Sequence, residues 1–361
     1  MKRKTTRVTS YDVAKLAGVS QPTVSRAFTP NASIAKDKRD RVLAAAKQLH
    51  YLPNSIAASL SSARSNIVAV IVGDMHNPFY SESLQAFINR LQATNRQVLA
   101  FTVEDGRDCD AVLMQALRYH VDGIVVTSAN LSSDLISLSR EVGIPIALFN
   151  RSTSDPTLTS VRCDSVQGGG LLADAMFAAG AQSYLIVRGD PQGSTSRLRV
   201  KGFRDALASL GIGDSAITEI DGGSSYAGSY RAISNHFDSP APQFPDAIFA
   251  VNDIMAIGCI DALRAKFNIA IPGDIMLAGF DGIREGRLGP YHLTTVRQPI
   301  EDMVTKTLDL LGRDNQGEKS ATQVNCVLPG IFIPGRTVPG LAEIAPDKAL
   351  EADIESISGK N

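Results

Sequence analysis

The sequence predicts a mixed α/β chain: a small all-helical head followed by a body of doubly wound parallel sheets. Three observations predict it. The first 66 residues read as short amphipathic helices with no strand-like run. From residue 67 onward, near-continuous apolar runs alternate with helical stretches, the pattern of parallel strands covered on both faces. Charge divides at the same place. Residues 1–66 carry 12 Lys and Arg against 3 acids, a formal +9, so the rest must carry −10 to give the chain's −1. A basic head on an acidic body points to a polyanion meeting the head and not the body.

The head is readable helix by helix. Ser10 is the expected cap of "YDVAKLAG", which ends at Gly18. Ser20 is the expected cap of "QPTVSRAFT". That places Pro22 second in its helix, where a missing N–H costs little because the first four have no intrahelical partner. A third helix spans about residues 35–49. Val13, Leu16 and Ala17 have the spacing of one buried face, as do Val24, Ala27 and Phe28, and Val42, Leu43, Ala46 and Leu49. The tight turn Gly18-Val19-Ser20 makes the first pair a helix-turn-helix. After "YLPN", the stretch "SIAASLSSA" is about two helical turns, too short to hold alone, so it is expected to be helical only when docked.

In the body, eight strands are expected at 67–73, 97–102, 123–127, 145–150, 183–188, 247–251, 275–280 and 293–298. Those up to about 162 are expected in one sheet and later ones in a second. The acidic tail after Pro339 is expected to be mobile. It holds only Leu350, Ile354 and Ile357 near heptad spacing, too little for a coiled coil.

Composition bounds the function classes. Hydrophobic residues make up 44% and charged residues 20%, as in an ordinary globular protein. Cys109, Cys163, Cys259 and Cys326 have no metal-like spacing, so reduced thiols in the cytoplasm are expected. "MKRKTTRVTS" is followed by no apolar stretch, so no secretory signal is expected, and no run is long enough to span a membrane. No G-x-S-x-G, P-loop or H-E-x-x-H occurs, and none of the five histidines pairs with a nucleophile. An enzyme is therefore disfavoured, and neither metal nor cofactor is called for. An exported binding protein would need a signal and no basic head. An architectural DNA-coating protein would share the head's charge but not base specificity.

"YDVAKLAGVSQPTVSRAF" closely resembles the N-terminal signature of the LacI/GalR family of bacterial transcription regulators. The resemblance continues through "DKRDRVLAAAKQLHYLPN", the hinge "SIAASLSS", and "NPFY", "RVKGF", "FAVND", "GFDG", "LTTVRQP" and "PGRT" in the body. It thus runs along nearly the whole chain. It implies a DNA-binding head over 1–53, a hinge helix and linker over 54–66, and a periplasmic-binding-protein-like body over 67–339 that binds an effector and dimerises. Within the body it implies subdomains of about 67–163 with 298–327 and 164–297 with 328–339, leaving 340–361 as tail.

The resemblance implies that the second helix enters the major groove of operator DNA. Gln21, Pro22 and Arg26 then face base edges. Gln suits adenine, Arg pairs with guanine, and the proline ring packs on a thymine methyl without needing a hydrogen bond. Tyr11, Thr23 and Ser25 would bond phosphate. Paired hinge helices of a homodimer would enter the minor groove, with Leu60 as the wedge, Ala57 and Ala58 allowing close approach, and Asn54 and Ser55 bonding backbone.

Between the lobes, the resemblance places a small sugar or sugar acid against Arg199, Asn252, Asp281 and Gln298. Phe79 and Phe280 offer apolar faces, with Asp74, Tyr80, Ser194 and Thr195 as further contacts. Arg151 stands where some sugar-responding members carry an acid. Together with Arg199 it would suit a carboxylate or phosphate, or it could instead pair with a nearby acid.

Overall fold

The computed structural model describes residues 8–29, 32–52, 65–103, 109–127, 132–152, 155, 158–191, 193–314 and 324–341. The chain forms two compact units, residues 1–66 and 67–361. The hinge residues Asn54, Ser55, Ala57, Ala58 and Leu60 lie outside the described residues, as does the tail from 342.

In the first unit, α1 spans Ser10–Ala17, α2 Gln21–Phe28 and α3 Lys36–Gln48. The cap of α1 is Thr9, not the expected Ser10. Thr9 Oγ1 accepts from the Asp12 N–H at 3.4 Å, and the Asp12 carboxylate accepts from the Thr9 N–H at 2.8 Å, a complete capping box. An aspartate three residues after Thr9 makes that cap better than serine at 10. Gly18 closes α1 with φ 64°, and Pro22 sits in the first turn of α2 as expected. The three helices bury Val13, Ala14, Ala17, Val24, Ala27, Val42, Ala45 and Ala46 against one another. Leu16 and Leu43, expected inside, are 46% and 43% exposed. The helices meet through alanines, so the buried stripe of α1 turns toward Ala14 and leaves Leu16 on its flank.

The body begins with β1 (Ile67–Val72), β2 (Gln97–Thr102), β3 (Gly123–Val126), β4 (Ile146–Phe149) and β5 (Thr159–Cys163). These join β11 (Asn325–Leu328) in a six-stranded parallel sheet of order β11-β5-β4-β3-β1-β2. β11 comes from the far end of the chain, so this sheet is not built only from strands before residue 162. β6 (Tyr184–Arg188), β7 (Ile217–Asp221), β8 (Ala247–Ala250) and β9 (Met276–Ala278) form a second parallel sheet of order β7-β6-β8-β9. β10 (Thr295–Arg297) and β12 (Ile331–Ile333) pair antiparallel.

β1 shows how a buried parallel strand uses its two faces. Val68, Val70 and Val72 pack with Phe79 and Phe87 on one side, while Ala69 and Ile71 pack with Leu113 and Leu135 on the other. In the second sheet's layer, helices Ser165–Ala178 and Ser194–Ser209 approach through glycines. A Cβ on Gly202 would lie 2.0 Å from the Val166 carbonyl oxygen, and one on Gly169 would lie 2.3 Å from that of Arg199. This contact sets the position of Arg199.

A second fixture is Asp253, fully buried at the start of helix Asp253–Phe267. Its Oδ2 accepts from the N–H groups of Gly282 and Ile283 at 2.6 and 3.0 Å, and its Oδ1 from the Thr295 hydroxyl at 2.6 Å. The carboxylate thus binds the β9–β10 loop to both the helix and β10. That loop is unusual: Asp281 has φ 132° and Gly282 φ 74°. A Cβ at 282 would lie 2.6 Å from the Arg297 Cα, so only glycine fits there.

Two outcomes test these packing arguments. Gly202→Ala is expected to force the two helices apart and cost about 1–3 kcal/mol of stability, read by urea unfolding; an unchanged midpoint contradicts the close approach. For Asp253, burial, followed by the charge of Asp281, pushes the carboxyl from 3.8 up to about 7. The folded chain therefore holds this proton more tightly than the unfolded chain. The resulting stabilisation is complete below about pH 4 and is lost as pH rises through about 7. Thermal melts across that window are expected to show this loss in the wild type. Asp253→Asn, less stable throughout because it loses an acceptor, is expected to lack that step.

Candidate functional site

The head exposes one face of α2. Val24 and Ala27 turn α2 inward, which leaves Pro22, Ser25 and Arg26 outward at i, i+3 and i+4 spacing. Tyr11, on α1, is 72% exposed. Gln21 and Thr23 are half-buried and already engaged. Gln21 Nε2 donates to Ser10 Oγ at 3.4 Å, and the Thr23 and Ser20 hydroxyls are 2.9 Å apart. Pro22 and Arg26 are therefore presented more openly than Gln21.

The body carries a cleft of about 1040 Å³ lined from the carboxyl ends of parallel strands of both sheets. Gly73 and Asp74 follow β1, Val103 follows β2, and Asn150 and Arg151 follow β4. From the other sheet come Gly189 and Asp190 after β6, Val251 and Asn252 after β8, and Asp281 after β9.

At its base lies a buried ion pair. Arg199 Nη2 donates to Asp281 Oδ1 at 2.8 Å, with side-chain exposures of 5% and 3%. Arg199 Nη1 donates to the Val251 carbonyl at 2.6 Å, and its guanidinium lies 3.9 Å from the centre of the Phe280 ring. Gln298 Nε2 donates to the same Asp281 oxygen at 2.7 Å, and the Asn77 side chain bonds Asp281 as well. Burial raises the Asp281 carboxyl above the usual range, opposed by Arg199 and these amide donors. Two amides are spent on helix caps: Asn252 Oδ1 accepts from Met255 N–H at 2.9 Å, and Asn77 Oδ1 from Phe79 N–H at 3.0 Å.

Of the residues singled out in the sequence, Asp74, Phe79, Tyr80, Arg151, Thr195, Arg199, Asn252 and Asp281 line the cleft. Three expected contacts, Phe280, Gln298 and Ser194, do not. Phe280 is fully buried beneath Arg199, and a Cβ on Gly168 would strike its ring, so it supports the arginine rather than a ligand. Gln298 is buried behind Asp281, which it holds. Ser194 acts across the cleft, its Oγ accepting from the Ser152 N–H at 3.2 Å. Arg199, expected to meet an anion together with Arg151, also donates to Asp281 and to the Val251 carbonyl.

Several cleft residues escaped the sequence reading: Asn77, Asn150, Asp190, Asp221, Ser196, Ser224 and Tyr226. Asn77 carried a signal, since asparagine before proline at a helix start is a cap. Asp221 ends a strand whose polar alternation hid it.

Comparison with known proteins agrees with both halves. Residues 9–54 match the bacterial regulatory proteins of the lacI family, and residues 65–324 match the periplasmic binding proteins and sugar binding domain of LacI family. The HTH-type transcriptional regulator DegA of Bacillus subtilis (strain 168) is 31% identical over 337 residues, 92% of this chain and 99% of its own. The sucrose operon repressor of Pediococcus pentosaceus is 30% identical, covering 90% of this chain and 98% of its own. Among solved structures, the lac repressor dimer bound to operator and the anti-inducer ONPF superposes with a TM-score of 0.82 at 24% identity, covering 92% and 99%. A complex of the transcriptional regulator CelR with cellobiose gives 0.67 at 25%, covering 92% and 100%. The chain belongs to the LacI family of bacterial regulatory proteins, with the family's helix-turn-helix head and its two-sheet binding body.

Proposed function

We propose that this chain is a cytoplasmic transcriptional repressor, and not an enzyme, that binds a two-fold operator as a homodimer and is controlled by a small sugar effector. The single observation that carries this reading is the union, in one chain, of an exposed Pro22–Ser25–Arg26 face on a basic head with a polar cleft at the strand ends of the body. Relatives of the same architecture support it: one is a sucrose operon repressor, and solved neighbours hold operator DNA or cellobiose.

In this reading Arg26 pairs with a guanine and Pro22 packs on a thymine methyl. Gln21 reads a base edge only if its bond to Ser10 gives way. Tyr11, Thr23 and Ser25 hold phosphates, and the paired hinges, with Leu60 as wedge, open the operator centre. One recognition helix reads too few bases, so a dimer on paired half-sites follows. In the body, Asp74, Arg151, Asn252 and Asp281 surround the ligand, with Arg199 and Gln298 as the support of Asp281. A ligand that prefers one lobe arrangement shifts the spacing of the two hinge exits in the dimer; such couplings are typically about 1–3 kcal/mol.

Two experiments test this. In footprinting at fixed salt, the full-length chain is expected to protect one pseudo-palindromic site at affinities at least about a thousandfold above random competitor. Equal affinity for both would identify an architectural protein instead. Arg26→Ala is expected to lose about tenfold to a hundredfold on that site and far less on random DNA.

A further inference from the structure

The leading turn of α2 spends its polar side chains on the protein itself. Ser20, which precedes the helix, makes no side-chain cap to the helix backbone; its hydroxyl meets that of Thr23 at 2.9 Å. Gln21, the first residue of α2, donates from Nε2 to Ser10 Oγ at 3.4 Å, a bond that reaches back 11 positions to the start of α1. Pro22 follows, with no N–H and no polar atom on its ring. The sequence offers Ser10 as the cap of α1, but Thr9 and Asp12 perform that role with a complete capping box. Among the described residues, the Ser10 hydroxyl has no partner besides Gln21. Alanine is the best helix former, so the helix itself does not need a hydroxyl at this position.

Glutamine reads adenine by using both ends of its amide at once: the oxygen accepts from N6 and the nitrogen donates to N7. An amide turned toward Ser10 is not in that arrangement, so a base must compete with a hydrogen bond that already exists. A bond of ordinary net strength weakens such readout by about twofold to tenfold. The length of 3.4 Å places this one toward the lower end of that range. Pro22 and Arg26, both exposed, meet no such competition.

We propose that Ser10 is a specificity-determining residue that acts through Gln21: by engaging the amide it withholds this side chain from the operator and leaves discrimination to Pro22 and Arg26. The inference rests on the reading of the head as an operator-binding module and adds a positioning residue that sets how strongly one base pair counts.

The test uses the full-length chain. Duplexes are selected from a random-sequence pool at fixed salt, and each base pair of the selected site is then varied in turn. Ser10→Ala is expected to gain a preference for adenine of about threefold or more at one base pair of each half-site, with binding to random duplex unchanged. Adding Gln21→Ala is expected to abolish that gain. Ser10→Thr, which keeps the hydroxyl, is expected to show the wild-type pattern. A gain in discrimination cannot arise from damaged folding, and the melting temperature of Ser10→Ala is expected within about 2 °C of wild type. Preferences unchanged or weakened in Ser10→Ala, a gain that survives the loss of Gln21, the same gain in Ser10→Thr, or a larger fall in melting temperature overturns the inference alone. Selection of no sequence by the wild type overturns the operator reading, and the inference with it.

Discussion

The pairing of Arg199 with Asp281 is the interaction on which the body's cleft depends. A charge pair this deeply buried must recover the hydration it loses, and does so only with good geometry and further hydrogen bonds. Here those bonds come from remote parts of the chain: the Val251 carbonyl, the Gln298 amide, the Asn77 side chain and the face of Phe280. Five segments are therefore held in register by one carboxylate and one guanidinium. Family-like residues individually suited to a ligand divide into two groups. Some face the cleft, and others hold the residue that does.

The same logic runs one step further back. Asp281 can point into the cleft only because the loop around it takes backbone conformations that a side chain rarely tolerates. Asp253 stabilises that loop by accepting two of its N–H groups, while its third bond reaches Thr295 on β10. A short polar relay thus links the cleft, the start of helix Asp253–Phe267 and the β10–β12 pair. Glycines at 169 and 202 make the complementary contribution by letting the Arg199 helix lie against its neighbour. Backbone proximity and buried polar bonds together fix the site, with the apolar core beneath supplying most of the stability.

The head follows a simpler economy. Its interior is built largely from valine and alanine, so three short helices approach closely and little else needs burying. The polar face of α2 is then left outward without competing demands. Proline in the first turn fits this plan, since it adds an apolar surface at a position where the helix has no hydrogen bond to lose.

The sequence by itself determined the class of each part. Local charge, helical spacing and turn residues are short-range properties, so the three head helices, the strand runs and the basic-to-acidic change could be read directly. The eight apolar strand segments all proved to contain strands. β5, β7 and β11 escaped because polar residues break their apolar runs, and β12 because its apolar run is only three residues long and partly exposed. Only the tertiary structure decided which polar residues are spent on one another. Whether Gln298 and Arg199 face a ligand or brace Asp281, and whether Phe280 lies open or beneath a guanidinium, depend on contacts between residues up to 82 positions apart within this body. Residue type and spacing carry no record of such pairings, because a side chain's partner is set by where the folded backbone brings it.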